Sequence, residues 1–336
     1  MDEKHLAILN EAAKRDEQTD DTGDQGRHMS EPKAEPAQLN TEGMQLEYIE
    51  DRGGATLMLQ VVDGRYYPIF PTDVIKNIAS LKLRNDDIIL AGYLKAGTHW
   101  VWEILRMLCA GTTDIPLAEK DQCMVEQQAQ ADIDVLPSPR ILNTHSLFEQ
   151  LPAEIFVKKP KIVYLTRNPK DTAVSMYHHH VQLVDYYAYR GKFEDHVRLF
   201  VDGKVDFGSW FHHIDNWSRA VRDYPDIPIM EVNYEDLSQN PKKIIQDLAN
   251  YLDLSPSAEL VSKIVSECSI ERMRAKKAEF DLDKQGNSIM YRKGKVGSWQ
   301  SYFSEELNIW FDHVYQTKMA DIKTLFHWSF TLDGQQ

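Results

Sequence analysis

Between Asp87 and Leu108 the chain runs from strand to tight loop to helix with almost nothing in between. The acidic pair Asp86 and Asp87 leads into a continuous apolar run with β-forming character. Lys95, Gly97 and Thr98 then occupy a short loop, and an apolar, helix-like stretch from Trp100 to Leu108 follows at once. This order turns the free N–H groups of a helix's first turn toward the loop, an arrangement suited to phosphate. Lys95 adds a mobile cation at the same place. The spacing is not the Walker pattern, which needs Gly, four residues and then Gly-Lys-Ser/Thr. Taken alone, Lys-x-Gly-Thr behind an apolar strand also describes a surface turn.

The rest of the chain decides what surrounds this unit. Residues 57–62 and 66–69, split by Asp63-Gly64, read as a β-hairpin. Short strands are expected at 87–93, 140–144, 161–167 and 227–232, with helices at 98–110, after Asn168-Pro169, and at 241–252. Strands alternating with helices predict an α/β fold, a single domain with a central, mainly parallel sheet flanked by helices. Ligands of such sheets bind beyond the carboxyl ends of the strands. Lys95, His145, Arg167 and Tyr234 each fall at or just past such an end, so unrelated strands deliver polar groups to one rim.

Residues 1–45 are rich in acid and in Gln, Gly and Pro, with few large apolar groups, and read as a disordered tail. The domain is therefore expected over 46–330. A net charge of −14 argues against a general nucleic-acid binder. No apolar run approaches the length needed to span a bilayer, so no membrane partner is expected. Without a basic-then-apolar leader, and with only Cys109, Cys123 and Cys268 widely spaced, the expected compartment is the reducing cytoplasm. The sequence neither requires nor supports a homodimer.

The loop Tyr93-Leu-Lys-Ala-Gly-Thr-His-Trp100 resembles the phosphosulfate loop of the cytosolic sulfotransferases, commonly Tyr-Pro-Lys-Ser-Gly-Thr-Thr-Trp. It departs from it at Leu94, Ala96 and His99. Two further stretches carry the same resemblance: Arg167 to Ser175, similar to Arg-Asn-x-Lys-Asp-x-x-Val-Ser, and Arg292 to Trp299, similar to Arg-Lys-Gly-x-x-Gly-x-Trp. The resemblance implies a P-loop-like phosphosulfate-binding unit and 3′-phosphoadenosine 5′-phosphosulfate as co-substrate. It implies that residues 95–100 (Lys95, Ala96, Gly97, Thr98, His99, Trp100) hold the 5′ side. Arg167, Ser175, Arg292, Lys293 and Gly294 would hold the 3′-phosphate. Tyr234, Cys268 and Ile270 would lie around the adenosine, the last two in place of the usual Thr and Phe. A guanidinium beside a helix-borne hydroxyl is a sound phosphate clamp on chemical grounds. Arg167 could instead form a strand-end salt bridge with Asp171.

His145 matches the family's catalytic histidine, and an imidazole can take a proton from an acceptor hydroxyl near neutral pH. Lys95 would stabilise the leaving oxygen. Asn143 stands where the family usually has a lysine, a loss expected to weaken stabilisation of the transferring sulfonate. His179 falls where relatives often carry an aromatic pocket residue. The run from His178 to His180, with His212 and His213, suggests a metal, but adjacent helical residues diverge and no partner ligand stands at the right spacing, so none is expected. Sulfonate transfer to a hydroxyl or amine of a small-molecule acceptor is the leading expectation. Elimination through a sulfate ester, as in the insect retinol dehydratase of this family, stays open, as does a transfer-deficient binding protein. A P-loop kinase is disfavoured by the missing Walker spacing.

Overall fold

The computed structural model describes residues 41–281, 290–291 and 294–328. The acidic segment 1–40 and the residues Arg292 and Lys293 lie outside them.

Two sheets organise the described chain. The first is antiparallel, in the order β1 (Leu46–Glu50), β2 (Thr56–Val62) and β3 (Arg65–Tyr67). The expected hairpin is its second half, turning at Asp63 and Gly64, both at positive φ. Strand β1 was not foreseen from the sequence. It buries Ile49 alone, too weak a period for pattern reading to detect.

The second sheet is parallel throughout, in the order β5-β4-β6-β7. Its strands are β4 (Ile88–Gly92), β5 (Ile141–Thr144), β6 (Lys161–Thr166) and β7 (Ile229–Asn233). The last begins two residues later than expected, because Ile227 and Pro228 form the approach to it. Every residue of β4 is buried, as a central strand covered on both faces requires. Its alternation sorts the core. Ile88 and Leu90 pack with Val101, Ile104, Leu105 and Leu108 of helix α1 (Thr98–Ala110). Ile89 and Ala91 face the other way, toward Tyr164 and Trp217. Each fully buried Leu or Ile contributes about 1.5–3 kcal/mol, so both faces hold β4 in register.

At the amino ends of the strands, Arg140 grips Asp87 through two hydrogen bonds of 2.8 and 2.6 Å, with both side chains fully buried. This pair anchors β4 to β5 at the edge away from the polar rim and leaves the carboxyl ends for chemistry. Helix α2 (Pro169–Gln182) starts where Pro at its first position predicts, with the Asn168 side chain accepting from the N–H groups of Lys170 and Asp171. Helices α3 (Trp210–Asp223), α4 (Tyr234–Gln239), α5 (Pro241–Tyr251), α6 (Ala258–Glu267), α7 (Ile270–Asp281) and α8 (Glu305–Met319) add to the covering layers, as does the helix Phe193–Asp202. Among the described residues no helix is long and apolar enough to cross a membrane.

Candidate active site

A cavity of about 570 Å³ opens at the carboxyl ends of β4, β5 and β6. The loop after β4 bends into it through two left-handed residues, Lys95 at φ 69° and Gly97 at φ 108°. A side chain at 97 is doubly excluded: a Cβ there would lie 2.8 Å from Tyr234 Cδ2. Gly97 thus lets the Tyr234 ring close over the loop. The Arg167 guanidinium stacks on the same ring, its carbon 4.2 Å from the centroid, while Nη1 donates to the Lys95 carbonyl at 2.7 Å. Its Nε is buried and has no hydrogen-bond partner, a donor suited to an anionic oxygen. Thr98 and His99, in the first turn of α1, have N–H groups with no intrahelical carbonyl to bond.

Gly97, Thr98, His99, Trp100, Arg167, Ser175, Tyr234, Cys268, Ile270 and Gly294 all border the cavity, as do Lys95 and His145. Ala96 does not: it is buried, and its N–H donates to the Tyr93 carbonyl at 3.1 Å. Burial pushes the Cys268 thiol up to about 12, so it stays neutral and serves as wall. Arg292 and Lys293, expected at the 3′-phosphate, lie outside the described residues.

Asp171 is not the partner of Arg167. Its carboxylate accepts from Gly297 N–H (2.7 Å), Ser298 Oγ (3.0 Å) and Trp299 N–H (2.9 Å), tying the late glycine-rich loop to the start of α2. Lys170 turns the other way, into Asn308 and Asp312 of α8, with the Trp299 ring 4.3 Å from its ammonium.

His145 ends β5. Its Nδ1 lies 2.8 Å from the Gly92 carbonyl, which can only accept, so Nδ1 carries the proton and Nε2 keeps its lone pair. Burial, followed by the nearby Lys120 ammonium, holds its pKa well below the ordinary histidine value. The ring is therefore neutral at neutral pH. Glu126 fixes the strand end beneath it: one carboxylate oxygen accepts from Thr144 Oγ1 (2.5 Å), the N–H groups of His145 and Ser146 (2.8 and 2.9 Å) and Ser146 Oγ (2.7 Å).

Lys95 Nζ reaches to 3.4 Å from His179 Nδ1 and 3.3 Å from Met290 Sδ. Behind His179 runs a buried chain. Its Nε2 lies 3.3 Å from the Tyr187 hydroxyl, which donates to Asp206 at 2.9 Å, and the other Asp206 oxygen meets His180 Nε2 at 2.8 Å. The three consecutive histidines thus diverge, His178 turning to the Tyr302 hydroxyl at 2.8 Å. His213 pairs with the Tyr164 hydroxyl at 3.0 Å, and burial lowers its pKa to about 3. Asn143 is fully buried beneath the segment carrying Met124, with neither amide atom hydrogen-bonded, and is not part of the cavity wall.

Glu126, Lys120, Tyr187 and Asp206 escaped sequence reading. They lie in loops and short turns whose spacing carries no period, although the Arg-Asn-Pro-Lys-Asp run did contain the signal for Asp171.

A parallel sheet whose strand ends gather a glycine loop, a helix N-terminus, two cations and a neutral histidine defines a nucleotide-dependent group-transfer enzyme. Residues 85–323 match the Sulfotransferase domain family, and the chain belongs to that family. It is 32% identical to dog sulfotransferase 1B1 over 282 residues, covering 78% of this chain and 93% of the relative. Human sulfotransferase 1E1 is 32% identical over 262 residues, covering 73% and 87%. The crystal structure of mouse sulfotransferase SULT7A1 complexed with PAP superposes with a TM-score of 0.67 at 26% identity, covering 78% of this chain and 94% of that one. Retinol dehydratase in complex with androsterone and PAP shares the fold, with a TM-score of 0.67 at 20% identity, covering 82% and 94%.

Proposed function

We propose that this sulfotransferase moves a sulfonate group from 3′-phosphoadenosine 5′-phosphosulfate to a hydroxyl or amine of a small-molecule acceptor, with His145 as the base and Lys95 at the leaving oxygen. The observation that carries this reading is the tautomer of His145. The Gly92 carbonyl holds the Nδ1 proton, so the basic Nε2 is the atom left for an acceptor proton. The donor brings an activated sulfonate on a good leaving group; the protein needs to position, neutralise and deprotonate. On the donor side, this reading gives the 3′-phosphate to Arg167 Nε, which has no hydrogen-bond partner among the described residues, and to the hydroxyl of Ser175. It gives the 5′-phosphate to the Thr98 and His99 N–H groups. Lys95 stands by the same loop, where negative charge gathers on the departing oxygen. We place the catalytic unit in residues 46–330. The free, widely spaced cysteines support a cytoplasmic setting.

The test is transfer of radiolabelled sulfonate to a panel of phenols, sterols, alcohols and amines. Label on at least one acceptor is expected. Firm binding of adenosine 3′,5′-bisphosphate without transfer to any acceptor would reassign the chain as a binding protein.

A further inference from the structure

Beyond its repulsion of a protonated His145, Lys120 has no part in the chemistry described so far, yet its side chain is only 3% exposed and borders the cavity. Its ammonium makes no hydrogen bond among the described residues. The carboxylate nearest to it, that of Asp121, stands 3.9 Å away and is 49% exposed. At that distance the pair is beyond hydrogen bonding, and water screens the exposed partner. The buried Glu126 also attracts Lys120, but from beyond ion-pair distance: its Oε1 is spent on the end of β5, and its Oε2 has no hydrogen-bond partner among the described residues. The ammonium meets the cavity rather than a protein acceptor, and an anion entering there gains a charge-assisted partner.

In the proposed reading the donor's phosphates are met by Arg167, Ser175 and the loop after β4, none of which belongs to the segment carrying Lys120. That segment, the short turn Lys120–Cys123, leads directly into Met124. With Pro68, Phe70 and Phe207, Met124 forms an apolar part of the same cavity, and Phe207 stands edge-on to His145 at 5.2 Å. His99, His145 and His179 are neutral by burial, so they add hydrogen bonding but little charge. The base therefore shares the cavity with an apolar wall bordered by the Lys120 ammonium, with the half-exposed Asp121 carboxylate and Gln127 beside it.

We infer that Lys120 is a specificity-determining residue for acceptors that join an aromatic or apolar body to a carboxylate, the carboxylate pairing with Lys120 while the hydroxyl meets His145. This rests on the sulfonate-transfer reading of the same cavity.

The experiment compares the ortho, meta and para hydroxybenzoates, each with its methyl ester, on the full chain. Binding is measured calorimetrically with adenosine 3′,5′-bisphosphate present, and transfer is measured with labelled donor. For the best-bound isomer, wild type is expected to favour the acid over its ester by more than about tenfold. In Lys120→Met that ratio falls to about one, and in Lys120→Arg it is largely kept. A ratio unchanged in Lys120→Met overturns the inference, as does wild-type preference for the ester or for a cationic hydroxybenzylamine, which would give the wall to Asp121. A loss of turnover equal for acid and ester, with the binding ratio intact, assigns Lys120 to the sulfonate and overturns it too. If Lys120→Met fails to bind the bisphosphate, Lys120→Gln carries the comparison. A binding ratio that depends on Lys120, with no transfer to any acceptor, upholds the carboxylate site and overturns the transfer reading instead.

Discussion

The sides of this cavity proposed for donor and for acceptor are built by different means. Around the donor, the main chain does most of the shaping: Gly97 at φ 108°, the first turn of α1, and strand ends that deliver Arg167 and Tyr234. Around the acceptor, side chains hang from irregular segments: Lys120 and Met124 from a single short turn, and Phe207 from a loop at φ 61°. A site shaped by strand ends is fixed as firmly as the sheet itself. One shaped by loop side chains can change ligand by substitution without disturbing the fold. The difference teaches that donor chemistry here belongs to the fold, and acceptor choice to the chain.

The sharpest way to break that division is at His145, where the two sides meet. His145→Ala should lower turnover by roughly 10²–10⁴-fold while leaving calorimetric binding of adenosine 3′,5′-bisphosphate nearly as in wild type. Loss of binding with residual turnover would place His145 on the donor side and undo the assignment. A smaller effect is expected from Arg167→Ala. Removing a charge-assisted contact of roughly 1.5–3 kcal/mol should weaken bisphosphate binding and flatten the preference over adenosine 5′-phosphate. An unchanged preference would remove Arg167 from the 3′-phosphate.

The smallest effect sharpens the comparison most, because it reads an acceptor-side charge through the shared base. With His145 as the proposed base, the neutral ring is the active form, and burial with Lys120 depresses its pKa. The acid limb of kcat/KM should therefore lie below the ordinary histidine value of about 6.5. Lys120→Met removes a repulsion against the imidazolium, so protonation becomes easier and the limb should move to higher pH. A pH–rate profile with the limb unmoved, or moved to lower pH, would show that Lys120 does not act on His145.

The same division governs what could be read from the chain alone. The helix 98–110 and the four parallel strands were legible because apolar period, Asn-Pro starts and a glycine loop are local signals. So were Lys95, Arg167 and Tyr234, which the pattern places at strand ends. Strand β1 was invisible, since only Ile49 of its five residues is buried. Lys120 and Glu126 were equally hidden. Nothing in sequence says that a lysine and a glutamate in an irregular stretch are buried, because their burial is decided by packing against β5 and the residues that follow it. Asn143 was legible as a departure, but its place beneath the Met124 segment, off the cavity wall, was not.

One short run in this molecule holds two occupations that an activity measurement cannot separate. Arg167 and Ser175 border the cavity, whereas Lys170 and Asp171, between them, fasten α8 and the loop at Gly297 and Trp299. A saturation scan scored by turnover would mark the whole run as intolerant and would read it as a single motif. Scored by cellular abundance, it should split. Substitutions at 167 and 175 would leave the protein plentiful, while those at 170 and 171 would strip a buried ion of its partner or release the chain's last turns to proteolysis. What looks like a signature for a ligand is therefore, in part, a signature for a seam.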